Sequence, residues 1–346
     1  MQQLQGLYGK FKREQQRHGL WYALRRTLSY AADPTRGHFN ENYTYYASVR
    51  LTPDKSAYNQ RPLKRHPRTA LKINWVIPDM DPGNSGGHNT IYTLAQQLEQ
   101  RGHDQHFYVF GKSKFKSSES FRAALREYRP INAPVTLLGS GPLEPAALRP
   151  CDALIATGWQ TAYPVYETTN AARKFYFVQD FEPWFNAMSS LYVLAENTYR
   201  MGFMGITYGP WLATKLTRDY HMPAQAFRPG FDHAVYFAPT PGEQRDPNLV
   251  VHYARPVTPR RGWELSMNAL RELKSLRPQT RIVLYGSDLA GITVPFAHEP
   301  VGVLTPRQLG ALYRRASAGL VLSLTNHSSI PREMMACGCP VIDFKS

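Results

Sequence analysis

From residue 71 onward, short apolar runs alternate with longer stretches whose apolar residues recur every three or four positions. LKINWVI (71–77) is the first run, and a helix with Ile91, Leu94, Ala95 and Leu98 on one face follows it. FYVF (107–110), VTLL (135–138), ALIAT (153–157), KFYFV (174–178) and GITY (205–208) are further runs. Such unbroken apolar runs suit strands buried on both faces of a parallel sheet. Helices are predicted through AENTYRM (195–201) and PWLATKL (210–216), where Pro210 fits a first helical turn. A second series begins near residue 247. It reads as strand NLVVHYA, helix WELSMNALRELKSL, strand RIVLYG, helix PRQLGALYRRA, strand AGLVLSL, helix PREMMACG and strand PVIDF. Repeated strand–helix units imply right-handed crossovers and doubly wound sheets. The expected fold is therefore α/β, with two Rossmann-like lobes joined near residues 239–247. Ligands in such lobes sit at the carboxyl ends of the strands, so the cleft between the lobes is the expected active site.

The first 70 residues follow neither period. Residues 1–30 read as a basic amphipathic helix with Leu4, Leu7, Tyr8, Phe11, Leu20, Trp21, Leu24 and Leu28 at loosely helical spacing. Residues 31–70 read as an extended segment. The expected division is thus a basic N-terminal helix and extended segment (1–70), a first Rossmann-like lobe (71–240) and a second (241–346).

Charge sharpens this division. The chain of 346 residues carries a net charge of +15, and residues 1–70 hold 13 basic against four acidic residues. That excess suits an anionic partner, and a basic helix with an aromatic face can lie on an anionic membrane surface. No stretch approaches a membrane span, and the start lacks the apolar core of a signal peptide. The protein is expected in the cytoplasm, with peripheral contact at the inner face of the cell membrane. Cys151, Cys337 and Cys339 show no zinc-site spacing and are expected to be buried reduced thiols.

Four segments carry chemistry. The turn Gly83-Asn84-Ser85-Gly86-Gly87-His88 leads into a helix, where small residues and helix-end N–H groups favour an anion. Its spacing is not that of a dinucleotide fingerprint. Tyr253-Ala254-Arg255-Pro256-Val257-Thr258-Pro259-Arg260-Arg261-Gly262 brings three guanidinium groups to a strand end, where they fit phosphate oxygens. In the run from Ser323 to Ile342, the N–H groups of Ser328, Ser329 and Ile330 can cradle a diphosphate, and Glu333 can accept from sugar hydroxyls. Gln179-Asp180-Phe181-Glu182-Pro183-Trp184 places two carboxylates and an amide at a strand end, a pattern suited to proton transfer at an acceptor hydroxyl. Trp159, in Thr157-Gly158-Trp159-Gln160, and Trp184 are the expected acceptor-ring contacts. His88, His252 and His327 have no mutual metal-ligand spacing and read as satisfied loop residues, so no metal site and no cofactor is expected.

Met334-Met335-Ala336-Cys337-Gly338-Cys339-Pro340-Val341-Ile342 resembles the E-A-M-A-x-G-x-P-V motif of retaining GT-B glycosyltransferases of family 4. Arg255 and Arg261-Gly262 resemble its G-R-x-x-x-x-K-G pair with one residue added. Phe227-Arg228-Pro229-Gly230-Phe231-Asp232, with Phe237 and Pro239, resembles its N-G-V-D-x-x-x-F-x-P turn, and Gly86-Gly87 its first glycine pair. The segments around Gln179, Ala195-Glu196-Asn197-Thr198-Tyr199, Tyr253-Ala254-Arg255-Pro256 and Ser323-Leu324-Thr325-Asn326 resemble more specifically the WsaF-type rhamnosyltransferases, which use dTDP-rhamnose. The resemblance implies a retaining transfer of rhamnose to a glycan or lipid-linked glycan acceptor in cell-surface polysaccharide synthesis. The arginines and helix-end N–H groups already supply the positive potential that makes the transfer expected to be metal-independent. It carries Gly87, Gln179, Arg255, Arg261 and Glu333 over as nucleotide-sugar contacts. Two positions depart from the family pattern: Thr325 stands at the first glutamate of Glu-x7-Glu, and Arg261 replaces the lysine. Family members continue beyond the equivalent of Ser346, so the C-terminal lobe is expected to be incomplete.

Three other readings fit parts of the sequence less well. A polyanion or nucleic-acid binder draws on the charge, but the basic excess lies mostly outside the lobes and no nucleic-acid motif occurs, so nucleic acid is not an expected partner. A sugar-nucleotide epimerase would share the fold but need no acceptor. An NAD oxidoreductase would need the glycine fingerprint and an acid about 20 residues after it.

Overall fold

A computed structural model of the chain describes residues 70–80, 82, 86–139, 147–325 and 327–344. The basic helix, nearly all of the extended segment, and Gly83, Asn84, Ser85 and Asn326 of the expected motifs lie outside the described residues. Both sheets, Gly139 apart, belong to one compact unit.

The first sheet has seven strands: β1 (Lys72–Pro78), β2 (Asp104–Phe110), β3 (Val135–Gly139), β4 (Cys151–Ala156), β5 (Ala171–Val178), β6 (Met204–Tyr208) and β7 (Ala224–Phe227). Their order is β3-β2-β1-β4-β5-β6-β7, and β1 pairs in parallel with both β2 and β4. The order therefore reverses between β1 and β4. The helices α1 (Gly86–Gln100), α2 (Ser118–Tyr128), α3 (Trp159–Glu167), α4 (Ser190–Asn197) and α5 (Pro210–Tyr220) connect these strands. The second sheet comprises β8 (Asp246–Tyr253), β9 (Arg281–Tyr285), β10 (Glu299–Gly302), β11 (Ala316–Leu320) and β12 (Val341–Ile342), with α6 (Trp263–Leu276), α7 (Pro306–Arg315) and α8 (Ile330–Ala336). Its order, β10-β9-β8-β11-β12, reverses between β8 and β11.

The apolar runs are buried as their pattern predicts. Trp75, Val76 and Ile77 of β1 are inaccessible to solvent, as are Phe107 and Phe177 on neighbouring strands. Trp75 stacks on Phe107 with ring centroids 6.2 Å apart and meets Phe177 edge-on. Its buried indole N–H donates to Gln105 Oε1 at 2.9 Å, and the Gln105 amide donates to Ala95 O at 2.7 Å. A buried polar group without such a partner would oppose folding. Losing a packed ring of this size typically costs about 3–5 kcal/mol.

Four elements went unread in the sequence: α2, α3, β7 and β10. The helix expected over 195–201 instead begins at Ser190, and residues 198–200 form a 3-10 turn. The strand expected over 318–324 ends at Leu320, which leaves residues 321–325 to approach the cleft.

Candidate active site

Loops that leave strands on either side of both strand-order reversals line one cleft of about 500 Å³. The first sheet supplies Gly86 and Gly87 after β1, Thr157 to Gln160 after β4, and Gln179, Asp180, Glu182 and Phe185 after β5. The second supplies Tyr253 at the end of β8, Arg255, Thr258, Arg260 and Arg261 after it, and His327 to Ile330 after β11. A crevice at the carboxyl ends of parallel strands, at a switch in strand order, is where doubly wound folds bind ligands.

The wall built on β5 holds the carboxylates. Asp180 is almost fully buried, and its Oδ1 accepts from the Phe181 N–H at 2.8 Å. Its Oδ2 accepts from Thr325 Oγ1 at 2.7 Å, across the cleft from the second lobe. Glu182 opens a 3-10 turn (Glu182–Phe185), and its Oε2 accepts from the Trp159 N–H at 2.7 Å, the first residue of α3. The backbone N–H of Glu182 donates to the Tyr199 hydroxyl at 3.1 Å. Gly158 at the head of α3 has no side chain to cap the helix, so the Glu182 carboxylate does so from the 3-10 turn after β5. Burial, opposed by the bonds from Trp159 and Tyr176, pushes the Glu182 carboxyl up to about 8. At neutral pH it is mainly protonated, whereas a proton acceptor must be ionised.

The facing wall, built on β8, is cationic. Arg255 donates to Gly286 O at 3.2 Å and lies 5.8 Å from the Tyr253 ring centroid. Arg261 donates to Ser323 Oγ at 3.1 Å and lies 6.0 Å from the same ring. Gly286 makes this support possible. Its φ is +106°, and a Cβ there would fall 2.6 Å from the Tyr253 ring. Arg260 packs 4.2 Å over Phe185 of the opposite lobe, and its Nε, buried without a hydrogen bond, stands 4.0 Å from Asp180 Oδ2. Burial and the neighbouring Arg261 charge lower the Arg260 pKa, with Asp180 opposing.

The structure brings most of the expected site residues together. Gln179, Asp180, Glu182, Gly86, Gly87, Arg255, Arg261, Ser328, Ser329 and Trp159 all line the cleft. Ser328 Oγ is buried there without a hydrogen-bond partner. Trp159 is largely buried, so little of its ring is offered to a sugar. Two expected residues do not line the cleft. Glu333 turns back to bond Ser329 and Tyr236, and burial raises its pKa. Trp184 points outward and meets Trp211 with centroids 5.8 Å apart. Phe185 and Tyr208 line the cleft but are not among the residues the sequence motifs point to. Arg260 stands in the sequence as one of three clustered arginines, and nothing in the spacing says which guanidinium faces the other lobe.

The remaining expectations are local. His88 bonds Pro78 O at 3.2 Å, His252 bonds Leu320 O at 2.9 Å, and His327 bonds Asp343 at 2.9 Å. Cys151, Cys337 and Cys339 are free and buried. Among the described residues no helix is long and apolar enough to cross a membrane.

Comparison with known proteins agrees with this architecture. The family described as WsaF, N-terminal domain, matches residues 72–208, and WsaF, C-terminal domain, matches residues 248–345. O-antigen biosynthesis protein RfbC of Myxococcus xanthus is 32% identical over 273 residues, which cover 78% of this chain and 21% of RfbC. The chain thus spans about a fifth of that relative's length. The solved structure of TarM has a TM-score of 0.60 at 8% identity, covering 81% of this chain and 86% of TarM. An S. aureus TarM variant in complex with Fondaparinux, alpha-GlcNAc-glycerol and UDP gives 0.60 at 7%, covering 79% and 85%. The N-terminal domain of trehalose-6-phosphate phosphatase from Candida albicans gives 0.53 at 12%, covering 81% and 84%. At these identities the likeness speaks to the fold, two parallel-sheet lobes of the GT-B type. The two domain matches together span well over half of the sequence, and the chain belongs to the WsaF family of GT-B proteins.

Proposed function

We propose that the chain is a glycosyltransferase that moves rhamnose from dTDP-rhamnose to a glycan acceptor of a cell-surface polysaccharide, at the cytoplasmic face, without a metal and with retention at the anomeric carbon. One observation carries the reading: Arg255, Arg260 and Arg261 face Gln179, Asp180 and Glu182 across a single cleft. The guanidinium groups suit a nucleotide diphosphate, which gains charge as it leaves. Asp180, held by Thr325, suits the orientation of the incoming acceptor hydroxyl. In the proposed step the acceptor oxygen bonds the anomeric carbon as the carbon–phosphate oxygen bond breaks. The departing phosphate oxygen takes the hydroxyl proton on the same face. No carboxylate forms a covalent intermediate, and Glu182 has a structural duty as the cap of α3.

The lobes divide the work as residues 71–240 for the acceptor and 241–346 for the donor. The test is a binding panel of dTDP-rhamnose, UDP-glucose and GDP-mannose, followed by NMR of the first product formed with a glycan acceptor. Selective dTDP-rhamnose binding and a retained anomer are the expected results. Selective binding of another donor overturns the sugar assignment, and an inverted product overturns the mechanism.

A further inference from the structure

The 3-10 turn that carries Glu182 into the cleft continues outward into exposed apolar surface. Phe185 lines the cleft, whereas Trp184, its neighbour, faces solvent at 41% exposure. Trp211, in the first turn of α5, is 44% exposed, and the two indoles lie with centroids 5.8 Å apart and planes 37° from parallel. Met188, four residues beyond Trp184 in the chain, is 78% exposed. Large apolar rings left in water as a contiguous patch mark an interaction surface.

The pair is built rigidly. Buried Phe181 meets Trp184 edge-on at 4.9 Å. Lys215 lies 4.5 Å from the Phe181 ring and 5.4 Å from the Trp184 ring, and is held by Asp219 at 3.0 Å. A preorganised aromatic face loses little freedom when a partner binds.

The charges nearby discriminate between partners. Lys215 and Arg218 both pair with Asp219, and Arg200 pairs with Glu196. With each of these three cations held by one of two carboxylates, the surface keeps a net charge of only one and exerts little pull on an anionic membrane, where clusters of unpaired basic residues supply the attraction. Flat aromatic faces beside paired polar groups instead suit an uncharged partner with both apolar C–H faces and hydroxyls.

We propose that Trp184 and Trp211 form a saccharide subsite outside the cleft, which holds a sugar further along a neutral oligosaccharide acceptor while its terminal hydroxyl enters beside Asp180. This rests on the glycosyltransferase reading and extends it: the acceptor has at least two sugar units.

The experiment uses the full chain, a panel of neutral oligosaccharides of increasing length and methyl α-L-rhamnoside. Binding is read by tryptophan emission and saturation-transfer NMR, and dTDP binding is measured in parallel. Trp184→Leu and Trp211→Leu keep apolar bulk but lose the flat face, and Trp211→Tyr restores one. At least one oligosaccharide is expected to bind, on the order of tenfold more tightly than the monosaccharide. Both leucine variants should lose that difference, the tyrosine variant should regain part of it, and dTDP binding should persist throughout. Three results would overturn the proposal: no response to any oligosaccharide, equal affinity in the leucine variants, or tryptophan-dependent capture of phosphatidylglycerol vesicles. If the wild-type chain binds oligosaccharide but no nucleotide, the transferase reading fails while the subsite stands. If it binds dTDP and the leucine variants bind oligosaccharide unchanged, the subsite fails alone.

Discussion

The two walls of the cleft hold their charges by different means. On the β5 wall, Asp180 and Glu182 are deeply buried and bonded to Phe181, Thr325, Trp159 and Tyr199 at fixed distances. On the β8 wall, Arg255, Arg260 and Arg261 lean on the rings of Tyr253 and Phe185. Among the described residues, Arg255 donates to Gly286 O and Arg261 to Ser323 Oγ, though a guanidinium has five N–H donors. Ring contacts fix a guanidinium's position without consuming its hydrogen-bonding capacity. The acid wall is therefore a finished piece of structure, and the arginine wall is organised but open to an anion. Substitutions should separate the two, with activity falling first on one side and stability on the other.

The largest effect is expected on the arginine wall. Losing a charge-assisted bond to a diphosphate costs about 1.5–3 kcal/mol, on the order of 10- to 100-fold in kcat/KM. Arg255→Ala and Arg261→Ala should each show such a fall with dTDP-rhamnose, while the thermal midpoint stays near that of the wild type. Unchanged turnover in both variants would break the comparison at its centre.

On the acid wall, Glu182→Ala removes the cap of α3 and leaves the buried Trp159 N–H without its acceptor. A loss of about 1–3 kcal/mol of stability is expected by chemical denaturation. Glu182→Gln resembles the protonated acid and should remain folded and active. The pH dependence follows from the sign of the shift. The carboxyl is raised to about 8 in the folded protein from an ordinary value of 4.5. The folded state therefore holds the proton more tightly, and this contribution is complete below pH 4.5 and fades as pH rises through 8. Wild-type stability should drop relative to Glu182→Gln over that window, and parallel curves would show that Glu182 is ionised when buried.

The sequence displayed the two walls but not their difference. The strands were legible because runs such as residues 73–77 are buried on both faces, and strand ends locate ligands in this architecture. α3 was not legible, because Trp159, Thr161, Ala162, Tyr163, Pro164 and Val165 are all buried and leave no polar face to mark a helical period. β7 and β10 are short, largely exposed strands at the sheet edges, and β10 contains Pro300, so neither forms an apolar run. In the candidate site, the strand-end motifs point to Arg255, Arg261, Asp180 and Glu182, and the structure brings these four to one cleft. The motifs also place Glu333 in the cleft, where the structure turns that residue toward Tyr236. The direction of a side chain at a helix start depends on what packs behind it, and a local motif does not encode that. Thr325 illustrates the same limit. It departs from the family's acidic pattern, yet its hydroxyl bonds the carboxylate of Asp180 from the other lobe.

That contact is the next place to probe. Thr325→Val keeps the shape and removes the hydroxyl that holds Asp180. A hydrogen bond of this kind contributes about 0.5–1.5 kcal/mol, so roughly a twofold to tenfold fall in kcat/KM for the acceptor is expected. Donor affinity should change less, because Arg255 and Arg261 are held through Gly286 and Ser323 and not through Thr325. An equal fall for both substrates would mean that the bond sets the separation of the walls and not the aim of Asp180.

The smallest expected effect concerns metal. A departing diphosphate needs positive charge, which a divalent cation or fixed cationic side chains can supply. Here three guanidinium groups already converge on the cleft, and Arg260 has a buried Nε without a hydrogen bond. A cation beside them would be repelled unless carboxylates offset the charge. The nearest, Asp180, is already bonded to Thr325, and Glu182 caps α3. Turnover should therefore be the same after EDTA treatment as before it, and added magnesium or manganese should change it by less than about twofold, an effect of ionic strength on exposed charges. Activity abolished by EDTA and restored by either ion would show that the arginine wall does not by itself supply the charge that the leaving group requires.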